Sequence, residues 1–187
     1  MKTNTAYTQG QRHFLRGEYA RSIRNFDIAL KSGMDEVKIH VPLGLAYFKN
    51  AQFSEAVEAF SNALELDPRN DHVLFLRGMA LFNNTELDRA LDDFNVALRF
   101  NPRHAAPYIG RSLLLRTMHR NAEAEYDLQS ALAIGIEVEL FIREYCITPH
   151  LHGLASPSLT WKKRLGGVNC GPTDWASPID VPKRASQ

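Results

Sequence analysis

The residues of this 187-residue chain best equipped for chemistry lie in its last quarter. The stretch CITPHLH brings Cys146, His150 and His152 together, three side chains of the soft or borderline kind that zinc accepts. A closed tetrahedral site needs a fourth ligand, and Cys170 is the one remaining thiol. Cys170 sits in LGGVNCG near Asp174, yet nothing positions a histidine to take its proton, and an irregular segment holds catalytic geometry poorly. LGGVNCG is rich in glycine but lacks the Lys-Ser/Thr end and the strand-to-helix setting of a phosphate-binding loop, so it reads as a turn. Asn83-Asn84-Thr85 is a glycosylation acceptor only in an exported chain, and MKTNTAYTQG has no apolar run after its lysine. His40, His72, His104 and His119 are scattered over helix ends and turns. The expectation is a chain that is not an enzyme, with no catalytic, cofactor-binding or metal site.

Composition narrows the class further. A formal net charge of +1 gives no global field that would draw the molecule to nucleic acid or to an anionic membrane surface. No run of eighteen apolar residues occurs, so no membrane span is expected, and the cytoplasm is the default address. Two cysteines without an export signal read as free thiols. The expected partner is another protein or peptide, with homo-oligomerisation left open.

The elements that must position any functional residue follow from an internal period of 34. LGLAYFKNAQFSEAVEAFSNALELDP from Leu43 to Pro68 superposes on RGMALFNNTELDRALDDFNVALRFNP from Arg77 to Pro102. Gly44 then falls on Gly78, Tyr47 on Leu81, Phe53 on Leu87, Ala56 on Ala90, Phe60 on Phe94, Ala63 on Ala97 and Pro68 on Pro102. One step forward gives Ser112, Leu115, Asn121, Ala124, Leu128, Ala131 and Ile136; one step back gives Gly10, His13, Tyr19, Ser22, Phe26, Ala29 and Met34. Each copy reads as two antiparallel helices. Small residues allow close approach, aromatic residues fill the space beside them, and KNAQ and NNTE turn between the helices. Pro68 and Pro102 stop the second helix of their copies.

Arg77 is accompanied by Asp93 and Arg111 by Asp127, sixteen residues later in both, while the earlier copies carry charge at neither place. The expected role is an ion pair bridging the two helices of a copy rather than a row of ligand-binding cations. After the last copy, Glu137 to Tyr145 (EVELFIREY) suggests an amphipathic capping helix built on Val138, Leu140, Phe141 and Ile142, covering the apolar end that a solenoid otherwise exposes. Residues 147–187 hold five of the nine prolines, four of the eleven glycines, and five Lys or Arg against two Asp, which reads as an irregular basic tail.

The pattern resembles the tetratricopeptide repeat over residues 4 to about 138. It implies an all-α, right-handed α-solenoid of about four helix pairs, at about 4–36, 37–70, 71–104 and 105–138. The array with its capping helix spans 4–146, and the Pro/Gly-rich irregular tail spans 147–187. The resemblance places partner binding on the concave face lined by the first helix of each pair, at Tyr7, Gln11, Phe14, Val41, Leu45, Phe48, Phe75, Met79, Phe82, Ile109, Leu113 and Arg116. Some members of the family clamp acidic chaperone tails through lysine, asparagine and arginine. The corresponding places here are Tyr7, Gln11, Pro42, His72 and Leu76, so that cationic clamp is absent.

An apolar face of this kind suits an amphipathic helix or an extended apolar peptide. The expected function is a non-enzymatic scaffold, adaptor or chaperone-like holder of such a segment. The alternative is a self-associating or autoinhibited scaffold whose groove is filled by its own tail or by another protomer. A flexible 41-residue tail reaches roughly 35 Å at an effective concentration on the order of 1 mM, so even ~100 μM affinity would keep the groove about 90 per cent filled. Trp161 and Trp175, with Leu159 and Leu165, are the expected inserting residues.

Overall fold

A computed structural model of the chain describes residues 2–135, 141, 144 and 145. Contacts divide the chain after Ala155, and every described residue lies in the first unit. That unit is an all-α solenoid whose described residues form eight full helices: α1 (Lys2–Leu15), α2 (Tyr19–Lys31), α3 (Glu36–Lys49), α4 (Phe53–Leu66), α5 (Asp71–Asn83), α6 (Leu87–Phe100), α7 (Ala105–Thr117) and α8 (Asn121–Ile134). Each odd-numbered helix pairs with its successor, and each pair stacks on the next. No described helix is long and apolar enough to cross a membrane.

The 34-residue period is visible in the backbone. Gly17, Ala51, Thr85 and His119, spaced by 34, all take a left-handed conformation, with φ of 73°, 58°, 66° and 60°. This single residue reverses the chain between the two helices of each pair. Only the first copy uses glycine there, although the conformation disfavours any residue with a Cβ. Two first helices begin on side-chain caps, with Asp35 Oδ1 accepting from the Val37 amide at 3.2 Å and Asn70 Oδ1 accepting from the Val73 amide at 3.1 Å. Helices α4 and α6 end two residues before Pro68 and Pro102, and α8 ends at Gly135 with φ of 97°.

Packing within a pair depends on one recurring contact across sixteen residues. A Cβ placed on Gly10, Gly44 or Gly78 would lie 2.7, 2.6 and 2.7 Å from the ring of Phe26, Phe60 and Phe94 respectively. The aromatic ring occupies the room that the missing side chain leaves, and these three rings are at most 1% exposed. In the fourth pair Ser112 replaces the glycine, and its buried hydroxyl donates to the Ala124 carbonyl at 2.7 Å. Ala56, Ala90 and Ala124 on the opposing helices are fully buried, which keeps those backbones close.

Arg77 and Arg111 bridge their pairs as anticipated. The Arg77 guanidinium donates twice to Asp93 at 2.8 Å, and that of Arg111 twice to Asp127 at 2.7 Å. Each arginine also reaches back one helix pair, Arg77 to Ser61 Oγ at 3.2 Å and Arg111 to Asn95 Oδ1 at 2.7 Å. Hydrogen bonding to the aspartate raises both guanidinium pKa values against the opposing effect of burial.

Of the anticipated capping helix, Phe141, Glu144 and Tyr145 are described and helical, while Val138, Leu140 and Ile142 lie outside the described residues. The zinc candidates Cys146, His150, His152 and Cys170 also lie outside them, as do Leu159, Trp161, Leu165 and Trp175.

Candidate functional site

The face formed by α1, α3, α5 and α7 carries the residues singled out above. Its ends and its middle differ. In the first pair, Tyr7 stacks on Phe26 and Phe14 on Tyr19, both with ring centroids 5.6 Å apart, so these two rings are seated within their own helix pair. Gln11 is exposed, and Val41 and Leu45 are half-buried. Phe48, Phe75, Met79, Phe82, Ile109 and Leu113 are all buried. At the far end Arg116 points toward Glu125 of α8 at 3.6 Å, and burial pushes its guanidinium pKa down.

The middle of the face is buried partly because the chain returns to it. Phe75 packs against Phe141 at 5.9 Å and edge-on against Tyr145 at 5.0 Å, and Tyr145 also reaches Phe48 at 6.4 Å. Phe141 and Tyr145 stack on each other at 5.1 Å, as residues one helical turn apart can. Rings in this range, tilted or edge-on, gain favourable quadrupole interaction beyond the apolar area that they bury.

Polar contacts frame the aromatic cluster. Lys49, the last residue of α3, donates from Nζ to Glu144 Oε1 at 2.7 Å and to the Glu144 carbonyl at 2.5 Å. The same ammonium stands 5.8 Å from the Tyr145 ring centroid, within cation–π range. Asn83, the last residue of α5, donates to the Met79 carbonyl at 2.8 Å and to the Tyr145 carbonyl at 3.1 Å. Burial raises the Tyr145 phenol pKa, and the Glu144 carboxylate adds to the effect. Glu144 also raises the pKa of Tyr19 on α2, after burial.

Lys49 and Asn83 were not among the residues expected to bind. They nonetheless share a register, 34 residues apart and each directly after a phenylalanine of the Phe14, Phe48, Phe82, Arg116 series. The period carried that signal. What it did not carry is that the last position of a first helix borders the seat and can hand hydrogen bonds to whatever lies in it.

A second cluster flanks Phe75. The His104 ring lies edge-on to Phe75 at 5.6 Å and 5.9 Å from the His72 ring, and His104 Nδ1 stands 2.7 Å from Asp71 Oδ2. Asn101 donates to the same aspartate oxygen at 3.1 Å. Desolvation lowers the His72 pKa, His104 lowers it further, and Asp71 opposes both. Among the described residues no group of three or more His, Cys, Asp or Glu could hold a metal ion.

Residues 41–108 match a family model described as the tetratricopeptide repeat. No curated protein matches the chain in sequence. Solved structures do match its fold. One is described as YrrB, "a TPR protein with an unusual peptide-binding site", at 24% identity and a TM-score of 0.67, over 75% of this chain and 72% of that one. A MamA structure from AMB-1 is 28% identical, with a TM-score of 0.62, over 74% of this chain and 76% of its own. MamA from Desulfovibrio magneticus RS-1, from residue 41 to its end, is 16% identical with a TM-score of 0.67, over 71% and 75% of the two chains.

Proposed function

We propose that this chain, a tetratricopeptide-repeat protein, is an interaction scaffold that holds an apolar or amphipathic segment of a partner protein against the face of its first helices. Proteins of this family generally act as non-enzymatic interaction modules, and no catalytic family is indicated. The observation that carries the reading is the seat itself. Phe48 and Phe75 receive two aromatic rings from a helical segment, while Lys49 and Asn83 donate to that segment's carboxylate and carbonyls. Aromatic anchors in a desolvated pocket, rimmed by polar groups that set orientation, are what a peptide-binding groove requires. In this reading the chain works in the cytoplasm as an adaptor or chaperone-like holder, and the exposed Gln11 with the half-buried Val41 and Leu45 extends the contact beyond the seat.

A second reading has its own observation. The rings in the seat belong to the same chain, at Phe141 and Tyr145, which supports a self-occupied scaffold with the groove filled in cis or between two protomers. The two readings combine if a partner competes with this segment.

Affinity capture from the native source tests the first reading. Three full-length baits are compared: the unaltered chain, Phe141→Ser plus Tyr145→Ser to vacate the seat, and Lys49→Glu to reverse the charge at its rim. A partner held more strongly by the vacated bait and lost from Lys49→Glu supports a groove-bound segment. Equal capture by all three puts the binding surface elsewhere.

A further inference from the structure

The resident segment specifies a ligand chemistry, an inference that rests on the groove reading and narrows it. Phe141, Glu144 and Tyr145 stand at i, i+3 and i+4 of a helical stretch, which puts both rings and the carboxylate on one face. Each of the three meets a side chain of α3 or α5. Phe141 and Tyr145 go to Phe75, Tyr145 also to Phe48, and the Glu144 carboxylate to Lys49. The Lys49 side chain is only 13% exposed, and among the described residues the acceptors to which it donates belong to Glu144. A ligand that filled the seat with rings alone would therefore enclose an ammonium without an acceptor, a costly arrangement. Asn83 reads the ligand backbone by donating to the Tyr145 carbonyl.

We propose that the partner of this groove is an amphipathic helix presenting aromatic side chains at i and i+4 and a carboxylate at i+3, and that residues 141–145 are a resident copy of that ligand which the partner displaces. Lys49 and Asn83 stand at positions different from Tyr7, Gln11, Pro42, His72 and Leu76, where the family's clamp for acidic tails would fall. The carboxylate here is an internal side chain beside an aromatic ring, not a chain terminus.

Competition by the resident copy sets the size of the effect. The segment follows Gly135 at the end of α8 within a few residues, so its effective concentration is on the order of 1 mM. For an intrinsic dissociation constant of ~100 μM, the intact chain should bind a free ligand about tenfold more weakly than a chain whose seat is vacated.

The test uses a labelled peptide with the sequence of residues 136–145, IEVELFIREY, titrated by fluorescence anisotropy against full-length protein. The expected result is saturable binding to the Phe141→Ser plus Tyr145→Ser protein, about tenfold tighter than to the unaltered chain. Lys49→Glu in the vacated background should weaken it at least tenfold. A peptide carrying Glu144→Lys should fail on the Lys49 protein and recover on the Lys49→Glu protein, a rescue that a purely structural role of Lys49 would not produce. Equal binding of both peptides to both proteins overturns the proposal. If neither peptide binds but an amphipathic peptide with leucine in place of both aromatics does, the ligand chemistry is wrong while the groove reading stands. If nothing binds to a protein that keeps its helical circular dichroism, both fall. A dimer of the unaltered chain that dissociates on adding peptide would assign the segment to a second copy and overturn displacement by a partner. Should the vacated protein lose its helical signal, the same charge-reversal pair is decided on chains that retain Phe141 and Tyr145, with peptide in proportionate excess.

Discussion

Replacing Gly44 by alanine tests the packing rule from which the whole array is built. The new Cβ would lie 2.6 Å from Cε1 and 2.7 Å from Cδ1 of Phe60, a ring with no exposure and no room to retreat. Ordinary carbon contacts are ~3.5–4.0 Å, so the ring or the helix behind it must move by about 1 Å. Overpacking of this kind costs typically 1–3 kcal/mol, and this contact lies at the severe end. Alanine recovers about 1 kcal/mol of helix propensity over glycine, which leaves a net loss of about 2 kcal/mol. Phe60→Leu alone should cost about 1–2 kcal/mol by leaving a partial cavity. If the clash is the mechanism, the double variant should lose about 2 kcal/mol less than the sum of the two singles. Urea unfolding followed by circular dichroism, with the denaturant slope unchanged, provides the measurement. A Gly44→Ala protein as stable as the parent, or an additive double variant, would refute the reasoning.

Three further outcomes are expected. Asp127 is 2% exposed and accepts two hydrogen bonds from Arg111, so Asp127→Asn should cost about 2–4 kcal/mol in the same urea assay, whereas Arg120→Ala, which loses an exposed pair with Glu123, should leave the urea midpoint nearly unchanged. Thr85 is β-branched and held at a φ of 66°, so Thr85→Gly should raise stability by up to about 1 kcal/mol, readable as a higher urea midpoint. His72 has a lowered pKa in the folded chain, so the unfolded chain takes up its proton first on acidification. Its part of the stability loss should begin as pH falls through the ordinary histidine value near ~6.5 and finish below the depressed folded value. His72→Gln should flatten the pH dependence of the urea midpoint over that window, and an unchanged slope would count against the assignment.

Much of the array was legible because its contacts join residues close in the chain at a fixed offset. Gly44 with Phe60, Arg77 with Asp93 and Arg111 with Asp127 all lie sixteen residues apart, so one period located them together. The seat was legible only in part. Phe48 and Phe75 were anticipated on the first-helix face, but Lys49 is held by Glu144, 95 residues later, and no periodic pattern encodes so distant a pairing. EVELFIREY was anticipated as a cap over the last repeat, and its apolar content carried that far. Its two rings, Phe141 and Tyr145, and its Glu144 pack against α3 and α5, while the Val138, Leu140 and Ile142 on which the cap was built lie outside the described residues.

The sequence by itself therefore determined the helix pairs, their turns, the glycine–aromatic packing and the bridging arginines, because each depends on neighbours within one 34-residue copy. Tertiary structure alone decided which residue stands opposite Lys49 and what fills the seat at Phe75. Those contacts depend on the path by which the chain returns across copies already stacked, and a repeat presents nearly the same apolar face at every step until that path selects one.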